Sequence, residues 1–265
     1  MVAMRKLIIV LVSFLALAVI VDFGAAAYSE YRVSRAIREG GSLTSDPQVI
    51  IHGFPFVTQA ADGKYQNVEI RAQDVPTDYV ESTTIEANLR GVTVPLSDLI
   101  DGSVNTVPVD ELEGRVRIDA KDLGQFLGIV DLRVSAPPAD PSDGTGGSGG
   151  SGPTTTTTGG GVVLTGTVPV GPIDTEVSVQ ADLVLDGERV EIVASDFYFG
   201  PDGNADFTIP DFAKPTVLGL FTKTIDRQTL PFGILPTDVY AEGSQIVIEG
   251  GAQNVTIDLD QIEAP

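Results

Sequence analysis

Residues 176–185 read EVSVQADLVL, with Val177, Val179, Ala181, Leu183 and Leu185 at every second position. Glu176, Ser178, Gln180 and Asp182 stand between them, and Val184 is the one apolar exception. A period of two puts the aliphatic set on one face of an extended strand and the polar set on the other. The same alternation recurs. Val68, Ile70 and Ala72 alternate with polar residues in 67–73, and Ile85, Ala87 and Leu89 do so in 84–90. Arg115–Asp119 is a short example, and Val190, Ile192 and Ala194 begin a return strand after the hairpin signal Asp186-Gly187. Ile246 and Ile248, then Val255, Ile257 and Leu259, close the chain in the same way. One apolar and one polar face is the signature of antiparallel sheet with one side in water. Helices are fewer: 28–39 with Tyr31, Val33 and Ile37 apolar, 121–130 weakened by two glycines, and 210–226 starting near Pro215. The expected class is α+β. The apolar faces need a cover, so the sheet curls around a helix or closes on itself. Either solution encloses an interior that, if incompletely filled, can hold an apolar ligand.

The N-terminus carries a second signal. Arg5 and Lys6 precede the 15-residue apolar run Leu7–Val21. That run is short against the roughly 20 residues of a spanning helix. Ala25-Ala26-Ala27 offers a small-residue cleavage site after Ala27, but Asp22 and Phe23 lie between it and the run, and the helical pattern continues through it. Residues 1–27 therefore read either as a removed signal peptide or as an uncleaved anchor using 7–27. Both export residue 28 onward, with Arg5 and Lys6 left on the cytoplasmic side.

The 265 residues fit one large domain or two small ones. Residues 136–161, APPADPSDGTGGSGGSGPTTTTTGGG, are low in complexity and read as a disordered inserted loop. There is no cysteine, which excludes disulfides and thiolate metal sites. The net charge of −21 repels phosphate backbones, and no basic stripe with interleaved aromatics offsets it, so no nucleic-acid partner is expected. Two glycine-rich catalytic patterns match inside 144–150, but neither has the strand before it and the helix after it that its chemistry needs. His52 is the only histidine, and it reads as a structural or surface residue. Asp202, Asn204 and Asp206 make half of a calcium loop, without the glycine and glutamate that would complete it. Asn254-Val255-Thr256 is a formal sequon inside a strand pattern. No catalytic residue, metal site or cofactor is expected.

Two apolar stretches are interrupted by proline: Gly53-Phe54-Pro55-Phe56 and Leu230-Pro231-Phe232-Gly233-Ile234-Leu235-Pro236. Proline cannot donate into a ladder, so both read as corners. Their aromatic rings are either core or the lip of an apolar interior. Together with the apolar N-terminal segment, residues 53–75 and 230–259 resemble the LmeA-like family of actinobacterial cell-envelope proteins. The resemblance implies phospholipid binding in the periplasm, a link to lipoglycan synthesis, and a fold similar to tubular lipid-binding (TULIP) domains, in which a strongly curved antiparallel sheet wraps one or two helices. It treats 28–265 as a single domain. It carries no catalytic residues across.

The expectation is a non-enzymatic, exported protein that holds acyl chains in its interior and carries or presents a phospholipid or other envelope lipid. Phe54, Phe56, Val217, Leu218, Phe221, Leu230 and Phe232 are the candidate lipid-binding residues. One alternative is a solid-cored envelope protein whose acidic face binds an unidentified protein partner. The other is an envelope hydrolase, for which the sequence marks no carboxylate pair.

Overall fold

A computed structural model describes residues 2–41, 43–77, 80, 82–95, 97–98, 106–135, 161–171, 173–187, 189–198, 209–225 and 230–258. The inserted loop, apart from Gly161, and the 202–206 acidic turn lie outside the described residues, as does Leu259. Among the described residues the chain is α+β, with a long apolar N-terminal helix and two antiparallel sheets that do not close. The chain divides into two compact units. The first holds residues 1–72, 86–113 and 252–264, and the second 73–85 and 114–251.

The first unit begins with α1 (Val2–Gly40), one unbroken helix of 39 residues. It contains both the apolar run and the helix expected at 28–39. Strand β1 (Gln48–His52) follows, then α2 (Phe56–Asp62), then β2 (Lys64–Val75) and β3 (Thr83–Thr93). β1 runs antiparallel to β2, with Gln48 opposite Arg71 and His52 opposite Asn67. β4 (Thr106–Asp119) and β11 (Gln245–Asp258) pass from one unit to the other, as β2 and β3 do. The first sheet has the order β1-β2-β3-β4-β11-β10, β10 being Asp238–Glu242.

The second unit has α3 (Ala120–Leu127), β5 (Arg133–Ser135), β6 (Gly161–Val170), β7 (Ile173–Asp186), β8 (Arg189–Phe197), α4 (Lys214–Phe221) and β9 (Lys223–Ile225). These five strands form the second sheet in chain order. The alternation of β7 is realised as expected: Val177, Val179, Ala181 and Leu183 are buried, and Val184 faces out. β8 returns with Val190 opposite Leu185 and Ile192 opposite Leu183. Its register shifts by one between Gln180 and Ala181, so that Ala181 faces Ala194 while Gln180 faces Asp196, a bulge that takes up Ser195. α4 packs against β6, β7 and β8, and β10 packs against β5, β6 and β7.

Two sequence expectations change. The helix expected at 210–226 is only Lys214–Phe221, with Pro215 in its first turn. The β-branched Thr222 and Thr224 favour extended chain, and Lys223–Ile225 pairs with Val190–Ile192 as an edge strand instead. The helix near 121–130 ends at Leu127, because Gly128 takes the left-handed conformation that closes a helix.

The stretch Leu230–Leu235 lies over two strand glycines. A side-chain carbon on Gly114 would come within 2.9 Å of Ile234 Cδ1 and 3.1 Å of Pro231 Cγ. One on Gly250 would come within 2.2 Å of the Leu235 carbonyl oxygen. Alanine normally improves a strand glycine by about 0.5–1 kcal/mol. At Gly250 the sign reverses, since backbone must move: Gly250→Ala is expected to destabilise by about 1–3 kcal/mol in a urea unfolding curve. A neutral or stabilised variant would mean that this stretch is loosely seated.

Candidate functional site

The stretch Gly53–Gln59 is a turn between a strand and a helix, and it separates its two phenylalanines. β1 stops at His52, the Phe54–Pro55 peptide bond is cis, and α2 begins at Phe56. Phe56 is 5% exposed and packs on Tyr65 at a ring separation of 6.1 Å, whereas Phe54 is 62% exposed. The rings do not share one interior face: one is core and the other points outward. Gln59, also buried, ties the corner down. Its Nε2 donates to the His52 carbonyl at 3.3 Å, and its Oε1 accepts the Gln66 N–H at 2.9 Å.

The start of α2 is satisfied from an unexpected place. The first N–H groups of a helix have no partner within it, and the residue before α2 is Pro55, which has no side-chain acceptor. Asp22 of α1 supplies one. Its Oδ2 accepts the Phe56 N–H at 2.9 Å and its Oδ1 the Val57 N–H at 2.8 Å, and the side chain is buried. Seven residues are too few for a helix to persist alone, so this carboxylate helps to hold α2. Higher on α1, Glu30 Oε1 accepts the Ile51 N–H at 2.8 Å, and the Ser34 hydroxyl donates to the Pro47 carbonyl at 2.6 Å. Asp22, Ala25, Ala26, Ser29, Glu30, Val33, Ser34, Ile37 and Arg38 are the less exposed positions here. Their spacing of three and four marks one helix face, turned to β1 and α2.

The rest of α1 is bare. From Leu7 to Val21 its large apolar side chains are exposed, and so are Phe23, Tyr28 and Tyr31. Phe23 stacks on Phe54 at 6.1 Å with an interplanar angle of 27°. A helix of this length and mean hydropathy, almost wholly unburied, is able to cross a membrane.

The other candidates lie in the second unit. Val217 and Phe221 on α4 are fully buried, and Leu218 is half-buried. Leu230 is buried beside the half-buried Phe232. Phe232 has φ of +62°, where a side chain with a β-carbon costs about 1–2 kcal/mol. The acidic surface is partly balanced along the strands. Arg90 pairs with Glu111 at 2.7 Å and Glu113 at 3.5 Å, and Arg115 pairs with Glu249 at 2.9 Å. Tyr240 donates to the same Glu249 at 2.9 Å, and burial first, then that carboxylate, push its phenol up to about 12. His52 pairs with Glu69 at 3.1 Å on the surface of the first unit.

Among the described residues these features are an exposed apolar helix, sheets with an aliphatic face, and apolar corners. The chain belongs to the LmeA-like phospholipid-binding family, whose model matches residues 20–251. No curated protein and no solved structure matches it.

Sequence reasoning missed Asp22 and Gln59 as organising residues. Asp22 was legible as a charge breaking an apolar run, but its partner lies 34 residues on. Asp22→Ala is expected to cost about 1–2 kcal/mol. Its mark should be local: hydrogen exchange at the Phe56 and Val57 amides should quicken about tenfold, and unchanged exchange there would remove the capping role. The two corner rings should differ as sharply. Phe56→Ala should cost about 3–5 kcal/mol in denaturant unfolding, while Phe54→Ser should stay within about 0.5 kcal/mol. Equal costs would contradict the split.

Proposed function

We propose that the chain is an exported, non-enzymatic phospholipid-binding protein, held to the cytoplasmic membrane by α1, with residues 28–265 on the outer side in the cell envelope. It holds acyl chains against the aliphatic faces of its sheets and carries or presents an envelope lipid in support of lipoglycan or envelope biogenesis. Membership of a phospholipid-binding family over residues 20–251 is the observation that carries this reading. The exposed apolar helix supports the membrane attachment. We read 28–265 as one functional domain, because β2, β3, β4 and β11 each give residues to both compact units. Contact with the held lipid falls to Phe56 in the first unit and to Val217, Leu218, Phe221, Leu230 and Phe232 in the second, while Phe54, exposed, meets lipid at the membrane surface. Of these, Leu218 and Phe232 are the half-buried pair, and they can change without opening a large core cavity.

Burial of each methylene contributes about 0.8 kcal/mol. Two acyl chains thus bind usefully without a strong headgroup contact, which suits an acidic surface. Native mass spectrometry of the full chain, with activation enough to strip detergent, should show a discrete adduct that extracts as phospholipid. Phe232→Ser and Leu218→Ser should lower its occupancy several-fold with an unchanged circular dichroism spectrum. A clean apo mass with no uptake from phospholipid vesicles would sink the carrier reading. It would favour a solid-cored protein whose acidic face meets a protein partner.

A further inference from the structure

The uncharged run of α1 is shorter than a bilayer's hydrocarbon core, so a span draws on the helix residues that follow it. Leu7–Val21 is 15 residues, about 22 Å at 1.5 Å per residue, against a hydrocarbon core of about 30 Å. Extension to Ala27 gives about 31 Å. Asp22 is the one charged residue between Leu7 and Ala27. A bare carboxylate would not stay in hydrocarbon. This one is 6% exposed and already accepts two backbone N–H groups from α2. Asp22 therefore enters the span only together with the first turn of α2.

That turn is dressed for the same place. Phe54 and Val57 are exposed beside it, and the Phe23–Phe54 stack continues the bare apolar surface of α1 onto the corner. Past Ala27 the exposed residues change in the order of a leaflet boundary: Tyr28 and Tyr31, then Arg32 and Arg35. A groove of about 390 Å³ lined by Tyr31, Arg32, Arg35, Ala36 and Glu39 lies along this part of the helix. The Ala25–Ala27 motif sits inside the unbroken helix, and Ala25 and Ala26 are on its docked face. A cut after Ala27 would take away both the cap of α2 and the partner of Phe54. The family match likewise begins at residue 20, ahead of Asp22.

We infer that α1 is retained as an uncleaved span over residues 7–27, and that the Phe54–Val57 corner is seated in the acyl region of the phospholipid leaflet opposite Arg5 and Lys6. This rests on the anchored reading above. It adds a second membrane contact, one that holds the start of the first unit at the bilayer surface.

The chain has no tryptophan, so a single one reports its own surroundings. The full chain carrying Phe14→Trp or Phe54→Trp is reconstituted into phosphatidylethanolamine–phosphatidylglycerol vesicles containing acyl-brominated lipid. Both emissions should fall about two-fold or more on bromination, Phe54→Trp should resist iodide, and the intact mass should include residues 7–27. Val57→Trp repeats the measurement if Phe54→Trp does not fold. Quenching of Phe14→Trp alone, with Phe54→Trp open to iodide, would leave an anchor and overturn the seated corner. A product starting at residue 28 would overturn both parts. Quenching of Phe54→Trp by one equivalent of brominated lipid in detergent would place Phe54 on a lipid held within the protein, and so overturn the leaflet seat while leaving the lipid-binding reading intact. Absence of a lipid adduct in the mass spectrum would damage only that reading, since the corner is read out separately.

Discussion

Most of the long strands here have an aliphatic face that water will not tolerate and a polar face that it will. In the second sheet the demand for cover is concentrated at Leu164, Val179, Leu183, Val190 and Ile192, all essentially inaccessible. α4 meets part of it with Val217 and Phe221, and β10 brings a strand of the first sheet against β5, β6 and β7. The stretch 230–235 lies instead over the first sheet, on β4 and β11, and it comes close only because Gly114 and Gly250 carry no side chain. Short helices and apolar corners are therefore the covers that open, one-sided sheets require. A lipid-binding interior is a modest change to such a scheme, since an acyl chain satisfies an aliphatic face as a leucine does.

The first unit answers a different demand. Its most apolar element, α1 from Leu7 to Val21, is left uncovered by the protein. Its next half is docked by polar contacts: the Asp22 carboxylate to two amides, Glu30 to the Ile51 amide, and Ser34 to the Pro47 carbonyl. A flexible tether would need none of these. Hydrogen bonds are directional, so these contacts fix the helix along and around its axis, which apolar packing alone does less well.

Legibility in the sequence followed periodicity. β7 was readable nearly residue by residue because polar and aliphatic positions alternate without interruption. β6 was not. Val162, Val163 and Leu164 are consecutive and all buried, so no alternation marks them, and they follow a glycine-rich stretch. Val247, between Ile246 and Ile248, is buried on the second face of its strand for the same reason. α2 was hidden because seven residues after a proline do not establish a helical period, and its cap comes from a distant part of the chain. The corner aromatics were legible as a pair of the same type. Their opposite fates depend on a turn whose geometry sequence patterns do not reveal.

Acidity and lipid contact are compatible on this architecture because they act over different ranges and on different atoms. Charge repulsion between the acidic surface and an anionic leaflet is screened over about 8 Å at physiological ionic strength. Part of it is answered at source, where Arg90 and Arg115 sit among strand carboxylates. Apolar burial needs contact, and the exposed large apolar residues are most numerous on α1 and continue at Phe54 and Val57, with separate ones at Val130, Ile173, Phe212 and Leu235 in the second unit. Such a surface is held off the bilayer wherever it is charged and admitted where it is bare. On the proposed reading, attachment is directed by shape and hydropathy rather than by headgroup charge, and the aliphatic faces select a ligand by its chains.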